Sequence, residues 1–312
     1  MRALVTGGAG FIGSNIVELL LQQNHAVVVL DDLSSGYEDN VPPKARFIRA
    51  DVRDADAVRA AAQGCHVIFH LAASVGNKRS IDHPLKDSEV NVLGMLNVLE
   101  SARAHNLRRV VYSSSAGIFG ELKTLPIAED HPQEPDSPYG VSKLAAEKLC
   151  LVYNKLYGMQ NVCRRYFNVY GPHQRYDAYG NVIPILAHRI LRGSPRTIYG
   201  DGEQTRDFIN VRDVAQANFR ASQSEARGVF NLGSGTRITI NTLAELMQAV
   251  GGRVDEQHAS PRVGDVRHSL AEISAARQAF GFAPAAAMEE GPGEYMAWIR
   301  QDPLTQALER GQ

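Results

Sequence analysis

Tyr139 and Lys143 stand four residues apart in Ser137-Pro138-Tyr139-Gly140-Val141-Ser142-Lys143. On a helix, positions i and i+4 share a face. A phenol is a poor base near neutral pH, because its ordinary pKa is about 10. A neighbouring ammonium favours the phenolate and lowers that value. The pair is therefore a way to build a proton shuttle from ordinary side chains. A serine run, Ser113-Ser114-Ser115, lies upstream. Taken alone, the spacing fits two solvated helix residues equally well.

The N-terminal end supplies a context. Arg2-Ala3-Leu4-Val5-Thr6 leads into Gly7-Gly8-Ala9-Gly10-Phe11-Ile12-Gly13 and then into Ser14-Asn15-Ile16-Val17-Glu18-Leu19-Leu20-Leu21. That order predicts strand, turn and helix. Gly7, Gly10 and Gly13 follow G-x-x-G-x-x-G spacing, a variant of the dinucleotide fingerprint. Glycines there let backbone N–H groups approach a pyrophosphate, and a helix N-terminus adds positive potential. A tight turn without ligand has the same composition. The next strand, 25–30, ends in Asp31-Asp32, about 20 residues past the glycines, where a carboxylate bonds the adenosine ribose. A carboxylate repels a 2′-phosphate, and no arginine follows in Leu33-Ser34-Ser35-Gly36. The reading is NAD rather than NADP.

These groups need a scaffold. Strand signals at 45–51, 66–73, 109–113 and 160–167 alternate with helix signals at 54–63, 85–105 and 138–157. Such alternation predicts an α/β fold, a doubly wound parallel sheet with helices on both faces. Ligands then bind beyond the carboxyl ends of the strands. Past residue 170 the pattern loosens. Residues 171–180 read as a connection, 184–191 and 239–250 as helices, and 197–199 as a strand. Asn241 is the expected N-cap of the later helix. Segments 211–223 and 229–234 return to the larger unit. The expected organisation is a Rossmann domain from 1–170 plus roughly 211–235. A smaller interleaved C-terminal lobe, 171–210 plus 236–312, would hold the substrate.

Bulk properties narrow the classes. With 312 residues the chain can form one large domain or two joined ones. A net charge of −1 argues against bulk attraction to nucleic acid or anionic membranes. No stretch approaches the length of a transmembrane helix. The chain enters its first strand at once, leaving no room for a signal peptide, so a cytoplasmic location is expected. Cys65, Cys150 and Cys163 are scattered and read as buried packing in a reducing compartment. His70 has no second ligand at metal spacing and reads as a core histidine, so no metal is expected.

Several motifs occur in order: the glycine run at 7–13, Asp31-Asp32, Asp51-Val52, His70-Leu71-Ala72-Ala73, Ser113-Ser114-Ser115, Tyr139-x-x-x-Lys143, Arg165-Tyr166-Phe167-Asn168 and Arg206-Asp207-Phe208. Together they resemble the extended short-chain dehydrogenase/reductases of the nucleotide-sugar epimerase group, over nearly the whole chain. The resemblance implies that Gly7, Gly10, Phe11, Ile12, Gly13, Asp31, Asp32, Asp51, Val52, Leu71, Ala72, Ala73, Asn91 and Phe167 line an NAD site. It implies that Ser115 bonds the reacting sugar hydroxyl and Tyr139 removes its proton. Lys143 would bind the nicotinamide ribose and keep Tyr139 acidic. Asn168, Asn181 and Val182 would hold a nucleoside diphosphate, Arg206 and Arg262 its phosphates, and Asp265 its ribose. Read singly, Arg206 and Arg262 fit surface charges, and Asn168 fits a turn cap.

Related dehydratases and decarboxylases usually carry acidic residues just after the catalytic Ser or Thr. Here those positions are Ala116 and Gly117. The resemblance then implies that hydride returns to a transient 4-keto sugar, inverting C4. The expected enzyme is an NAD-dependent UDP-sugar 4-epimerase. A UDP-glucuronate 4-epimerase, a nucleotide-sugar 4,6-dehydratase or reductase, and a non-catalytic NAD-binding regulator are the alternatives. Ser269 falls where related epimerases vary a gate beside the sugar. A small residue there resembles enzymes that accept UDP-N-acetylglucosamine and UDP-N-acetylgalactosamine as well as UDP-glucose and UDP-galactose, although a solvent-facing turn is also open. Asn77-Lys78-Arg79-Ser80 lies where the group has a sugar-contacting loop. Members commonly form homodimers, and the helices at 85–105 and 138–157 are the candidate interface.

Overall fold

Short strands of four to six residues build a parallel sheet whose inner strands bury both faces, while one edge strand, Arg46–Arg49, stays partly exposed. Arg2–Thr6 (β1), Ala26–Asp31 (β2), Arg46–Arg49 (β3), Val67–His70 (β4), Val110–Ser115 (β5) and Val162–Tyr166 (β6) are six of these. Gly228–Leu232 is the seventh. The computed structural model describes residues 1–176, 181–261 and 266–309. In chain order its helices are Phe11–Gln22 (α1), Ala55–Ala62 (α2), Asn77–Asp82 (α3), Pro84–Ser88 (α4), Gly94–Ala104 (α5) and Pro138–Tyr157 (α6). After β7 (Asn168–Tyr170) come α7 (Val182–Leu191), β8 (Arg196–Tyr199), β9 (Thr205–Arg206), β10 (Phe208–Asn210) and α8 (Val211–Gln223). The strand Gly228–Leu232 (β11) is followed by β12 (Ile238–Thr239), α9 (Ile240–Gly251) and β13 (Glu256–Ala259). The last helices are α10 (Ser274–Phe280), α11 (Gly291–Gln301) and α12 (Pro303–Glu309).

The large sheet has the order β3-β2-β1-β4-β5-β6-β11, and every pairing is parallel. On one face Ile68, Val110 and Tyr112 pack under α2, α5 and α6. On the other, Val5, Phe69 and Val111 meet residues of α1 and α8. The order in which strands are added switches sides between β1 and β4, the topological switch point at which such sheets bind ligands beyond their carboxyl edge. Helix starts follow ordinary capping chemistry. Asp54 accepts from two N–H groups of α2, and Ser137 accepts from Gly140, with Pro138 opening α6. α9 is capped by Thr239, not by the expected Asn241, whose amide donates to Asp201 O and Glu203 instead.

Two expected elements are shorter than their apolar runs. Strand pairing over 66–73 stops at His70, and the residues beyond it pass over the sheet edge. The stretch 85–105 is broken by a π-turn at Glu89–Leu93, between α4 and α5. A π-turn carries an extra residue and re-aims side chains.

A second core forms where α7, β8, α9 and α11 meet, around Ile183, Leu186, Ile198, Leu243, Met247 and Ile299. Residues 271–282, expected in the smaller lobe, pack on the larger one. Ala271, Ile273, Ala276, Phe280 and Phe282 join Leu232, Val214 and Ala217. Arg175 ties the C-terminal helices to the glycine-rich end. It bonds Asp302 through Nε and both oxygens at 2.9 and 3.1 Å, and it donates to Asn40 Oδ1 at 3.0 Å. Asn40 in turn donates to Ala9 O at 2.9 Å. Among the described residues, no helix is long and apolar enough to cross a membrane.

Candidate active site

The loop between β1 and α1 folds tightly on itself. Gly7 has φ +70°, and a Cβ on Gly13 would lie 2.0 Å from Gly7 O. Only glycine permits that approach. α1 begins after Gly10 without a side-chain cap. Its first turn therefore presents backbone donors that suit a pyrophosphate. Asp31, at the end of β2, steadies this loop. It accepts from Ala9 N at 3.0 Å and Leu33 N at 2.9 Å. Burial pushes its pKa up, against those two bonds. Asp32 accepts from Ser34 N at 2.9 Å. This cradle, with carboxylates at the ribose end, fits NAD.

The other predicted cofactor residues differ in exposure. Leu71, Ala72 and Ala73 follow β4 and are partly exposed. Phe11 and Ile12 open α1, and Phe167 is buried between β6 and β7. Asp51 is turned to Arg53, which holds its carboxyl below the usual range. Val52 lies buried, and Gly94 packs directly on it.

The reactive groups converge at the carboxyl edge. β5 ends in Ser115, and the first turns of α6 carry Tyr139 and Lys143. A Cβ on Gly140 would meet Gly117 O at 2.4 Å, so a glycine lets α6 press against the turn after β5. A Cβ on Gly117 would touch both Ser115 Oγ and the Tyr139 ring. Burial drives the Tyr139 phenol up to about 12, and a hydrogen bond with Ser115 lowers it. Lys143 Nζ donates to Ser113 O at 2.8 Å and lies 5.9 Å from the Tyr139 ring centre. Burial pulls Lys143 down to about 8, and Asp87 opposes that shift. Lys143 and Tyr139 are thus neighbours, and burial acts on each toward its neutral form. His70, bonded to Thr6 Oγ1 at 2.7 Å, is pushed down to about 3 by burial and Lys143 and is neutral.

Behind this trio stands a polar network that the sequence motifs do not name. Asn91 Oδ1 accepts from Ser74 N at 2.9 Å, and Nδ2 lies within 3.1 Å of Ser74 O, Asp87 Oδ1 and Ser142 Oγ. Ser142 Oγ donates to Asp87 Oδ2 at 2.5 Å. Asn91 is thus held within the network, supporting the backbone beside the crevice. Asp87 was legible only as the i−4 neighbour of Asn91, a spacing that the π-turn disguises.

The substrate-side candidates divide. Asn168 donates to Asp207 O at 3.1 Å, and Arg206 donates to Thr205 O at 2.9 Å. Ser269 N also donates to Thr205 O, at 3.1 Å. These three therefore gather around β9 and its flank. Asp207, fully buried, organises that region by accepting from Ser234, Gly235 and Ala271. Asn181 is the N-cap residue of α7, and Val182 is its first residue. Arg262 and Asp265 lie outside the described residues. Among the described residues, no cluster of His, Cys, Asp or Glu could hold a metal ion.

Residues 3–233 match the NAD dependent epimerase/dehydratase family. The chain is similar to the UDP-glucose 4-epimerase of Thermotoga maritima, solved with UDP-glucose. The identity is 34%, the TM-score is 0.93, and 96% of this chain and 99% of that one are covered. It is also similar to a UDP-N-acetylglucosamine 4-epimerase from Methanobrevibacter ruminantium, in complex with UDP-N-acetylmuramic acid, at 36% identity and TM-score 0.92 over 96% and 98% of the chains. A third similar structure is the Thermus thermophilus UDP-glucose 4-epimerase with NAD, at 39% identity and TM-score 0.89 over 96% and 99%.

Proposed function

The chain belongs to the NAD-dependent epimerase/dehydratase family, and on that premise we propose that it is a UDP-sugar 4-epimerase. The observation that carries this reading is the convergence of Ser115 Oγ and the half-buried Tyr139 ring on Gly117, which follows Ala116. A proton acceptor faces the crevice, and the neighbouring turn offers no second acid or base for elimination of water. Ser115 orients the C4 hydroxyl of the sugar, and Tyr139 takes its proton. NAD, when bound, supplies a reversible hydride acceptor. Tyr139 then returns the proton to the C4 oxygen after the ring has presented its other face. Gly7, Gly10 and Gly13 would hold the pyrophosphate, Asp31 and Asp32 the adenosine ribose, and Lys143 the nicotinamide ribose. We assign the cofactor to 1–170 plus 211–235 and the sugar nucleotide to the remaining lobe, apart from 271–282, with Asn168 at the end of the first segment and Asn181, Val182, Arg206, Arg262 and Asp265 as its contacts. The separate core of α7, α9 and α11 supports that division.

The substrates are UDP-N-acetylglucosamine and UDP-N-acetylgalactosamine, alongside the plain hexoses. Ser269 supports this choice: it is small, only 8% exposed, and held beside Arg206. That burial speaks against a solvent-facing turn. The enzyme is a homodimer joined through α4, the π-turn and α6, whose Leu85, Leu93, Val141, Val152 and Leu156 are exposed. A panel of UDP-hexoses with NAD, resolved by chromatography, tests the reading. Inversion at C4 is expected. UDP-glucose, UDP-N-acetylglucosamine and UDP-glucuronate all left unconverted would overturn it. Ser269→Tyr should suppress turnover of the N-acetyl sugars selectively; an unchanged activity ratio removes the gate.

A further inference from the structure

Arg175 touches two segments that lie far from it along the chain. Its Nε donates to Asp302 Oδ2 at 2.9 Å and its Nη2 to Asp302 Oδ1 at 2.5 Å, a fork on one carboxylate. Nη1 donates to Asn40 Oδ1 at 3.0 Å. The guanidinium carbon lies 4.3 Å from the centre of the Tyr37 ring. Tyr37 and Asn40 share a target. Both donate to Ala9 O, Tyr37 through its backbone N–H at 3.0 Å and Asn40 through Nδ2 at 2.9 Å. Ala9 lies inside the glycine turn between β1 and α1. We propose that Arg175 is a positioning residue of the cofactor site, which fixes the two donors to Ala9 O and so holds the turn in the shape that accepts NAD, with Asp302 as its anchor. The proposal deepens the reading above and rests on its placement of the pyrophosphate at this turn.

The two ends of the Asn40 amide differ chemically, and the guanidinium selects between them. Arginine only donates, so it faces Oδ1 and leaves Nδ2 for Ala9 O. The reversed amide would set oxygen against oxygen at Ala9. A bond from a charged donor is stronger than a neutral one, and it polarises the amide toward better donation. Tyr37 is held in turn by the cation over its ring. Ala9 O then has two donors, one for each lone pair, and cannot turn its negative end toward a phosphate. The other side of the same residue is also held, because Ala9 N donates to Asp31 Oδ2 at 3.0 Å. The arrangement is enclosed. Asn40 is buried, and the side chains of Arg175 and Asp302 are 9% and 3% exposed. Bonds made in so desolvated a place are costly to lose. Asp302 lies between α11 and α12 and also accepts from Thr305 N at 2.9 Å. Through Arg175 the C-terminal helices thereby bear on the cofactor turn.

The test follows release of radiolabelled NAD from holoenzyme chased with unlabelled NAD. In Arg175→Met release should be faster by about tenfold or more. Asn40→Ala should speed release as well. Because Arg175 acts partly through Asn40, the double variant should fall clearly short of the product of the two single effects. The affinity for UDP, measured by calorimetry, should hold in Arg175→Met, since the sugar nucleotide belongs to the other lobe. Arg175→Lys keeps a cation for Asp302 but lacks the fork, and it should show the same acceleration if Arg175→Met does not fold. Unchanged NAD release in a folded variant overturns the inference. So do two single effects that multiply, or a UDP affinity that weakens in step with that for NAD, either of which marks a merely structural role. Wild-type protein that retains NAD yet converts no UDP-hexose overturns the epimerase reading instead, and the release rates still decide the role of Arg175.

Discussion

At the scale of single residues, the site is governed by desolvation. A phenol and an ammonium placed four residues apart suggest mutual stabilisation, yet both are pushed toward their neutral forms by burial. Ser115 Oγ stands beside the Tyr139 ring across Gly117, and Lys143 donates to Ser113 O. A base held above neutral pH in this way works only while a donor is positioned beside it. Tyr139→Phe removes the proton acceptor and leaves the glycine loop intact. Its kcat should fall by roughly 10²–10⁴-fold while the protein still retains NAD. Turnover near the wild-type rate would exclude Tyr139 as the base. A variant that has lost both NAD and activity would show instead that the phenol holds the cofactor.

At the scale of elements, β6 places two arginines on opposite faces of the sheet, with opposite consequences. Arg165 meets Glu147 at 2.7 Å, with side chains 1% and 0% exposed, and Ser114 adds a bond to the same carboxylate. Breaking such a pair leaves one buried charge alone and costs about 3–5 kcal/mol. Arg164 is equally buried, but its three guanidinium nitrogens find no hydrogen-bond partner among the described residues. Burial pushes its pKa down. Arg165→Met should therefore lower the melting temperature, and Arg164→Leu should raise it, in thermal unfolding of the holoenzyme. Two shifts of the same sign would discredit this account of β6. The π-turn at Glu89–Leu93 belongs to the same scale. It turns Asn91 onto Ser74, Asp87 and Ser142, where a regular helix would have set a different face.

At the scale of the whole molecule, the exposed apolar residues of α4 and α6 stand apart from the covered core. Leu85 is 81% exposed and Leu156 63%. On the proposed reading these residues form the subunit interface. Because α6 also carries Tyr139 and Lys143, association would stiffen the catalytic helix. Leu85→Glu combined with Leu156→Glu should halve the mass seen by sedimentation. Wild-type protein that sediments as a monomer would rule out the interface. Across the molecule, Arg175 joins Asp302 to Asn40 and so to Ala9, which links the C-terminal helices to the cofactor loop.

The sequence by itself determined the parallel sheet, the glycine cradle, the acidic end of β2 and the Ser115–Tyr139–Lys143 trio. Each of these is local: an apolar run, a spacing or a turn residue acts within a few positions of the chain. It did not determine which charges would be buried together. Arg175 and Asp302 lie far apart along the chain. Thr239 rather than Asn241 caps α9, and residues 271–282 join the large core rather than the small one. Those outcomes were decided by tertiary structure, because desolvation and pairing depend on which surfaces pack together in space, and neighbours along the chain do not encode that.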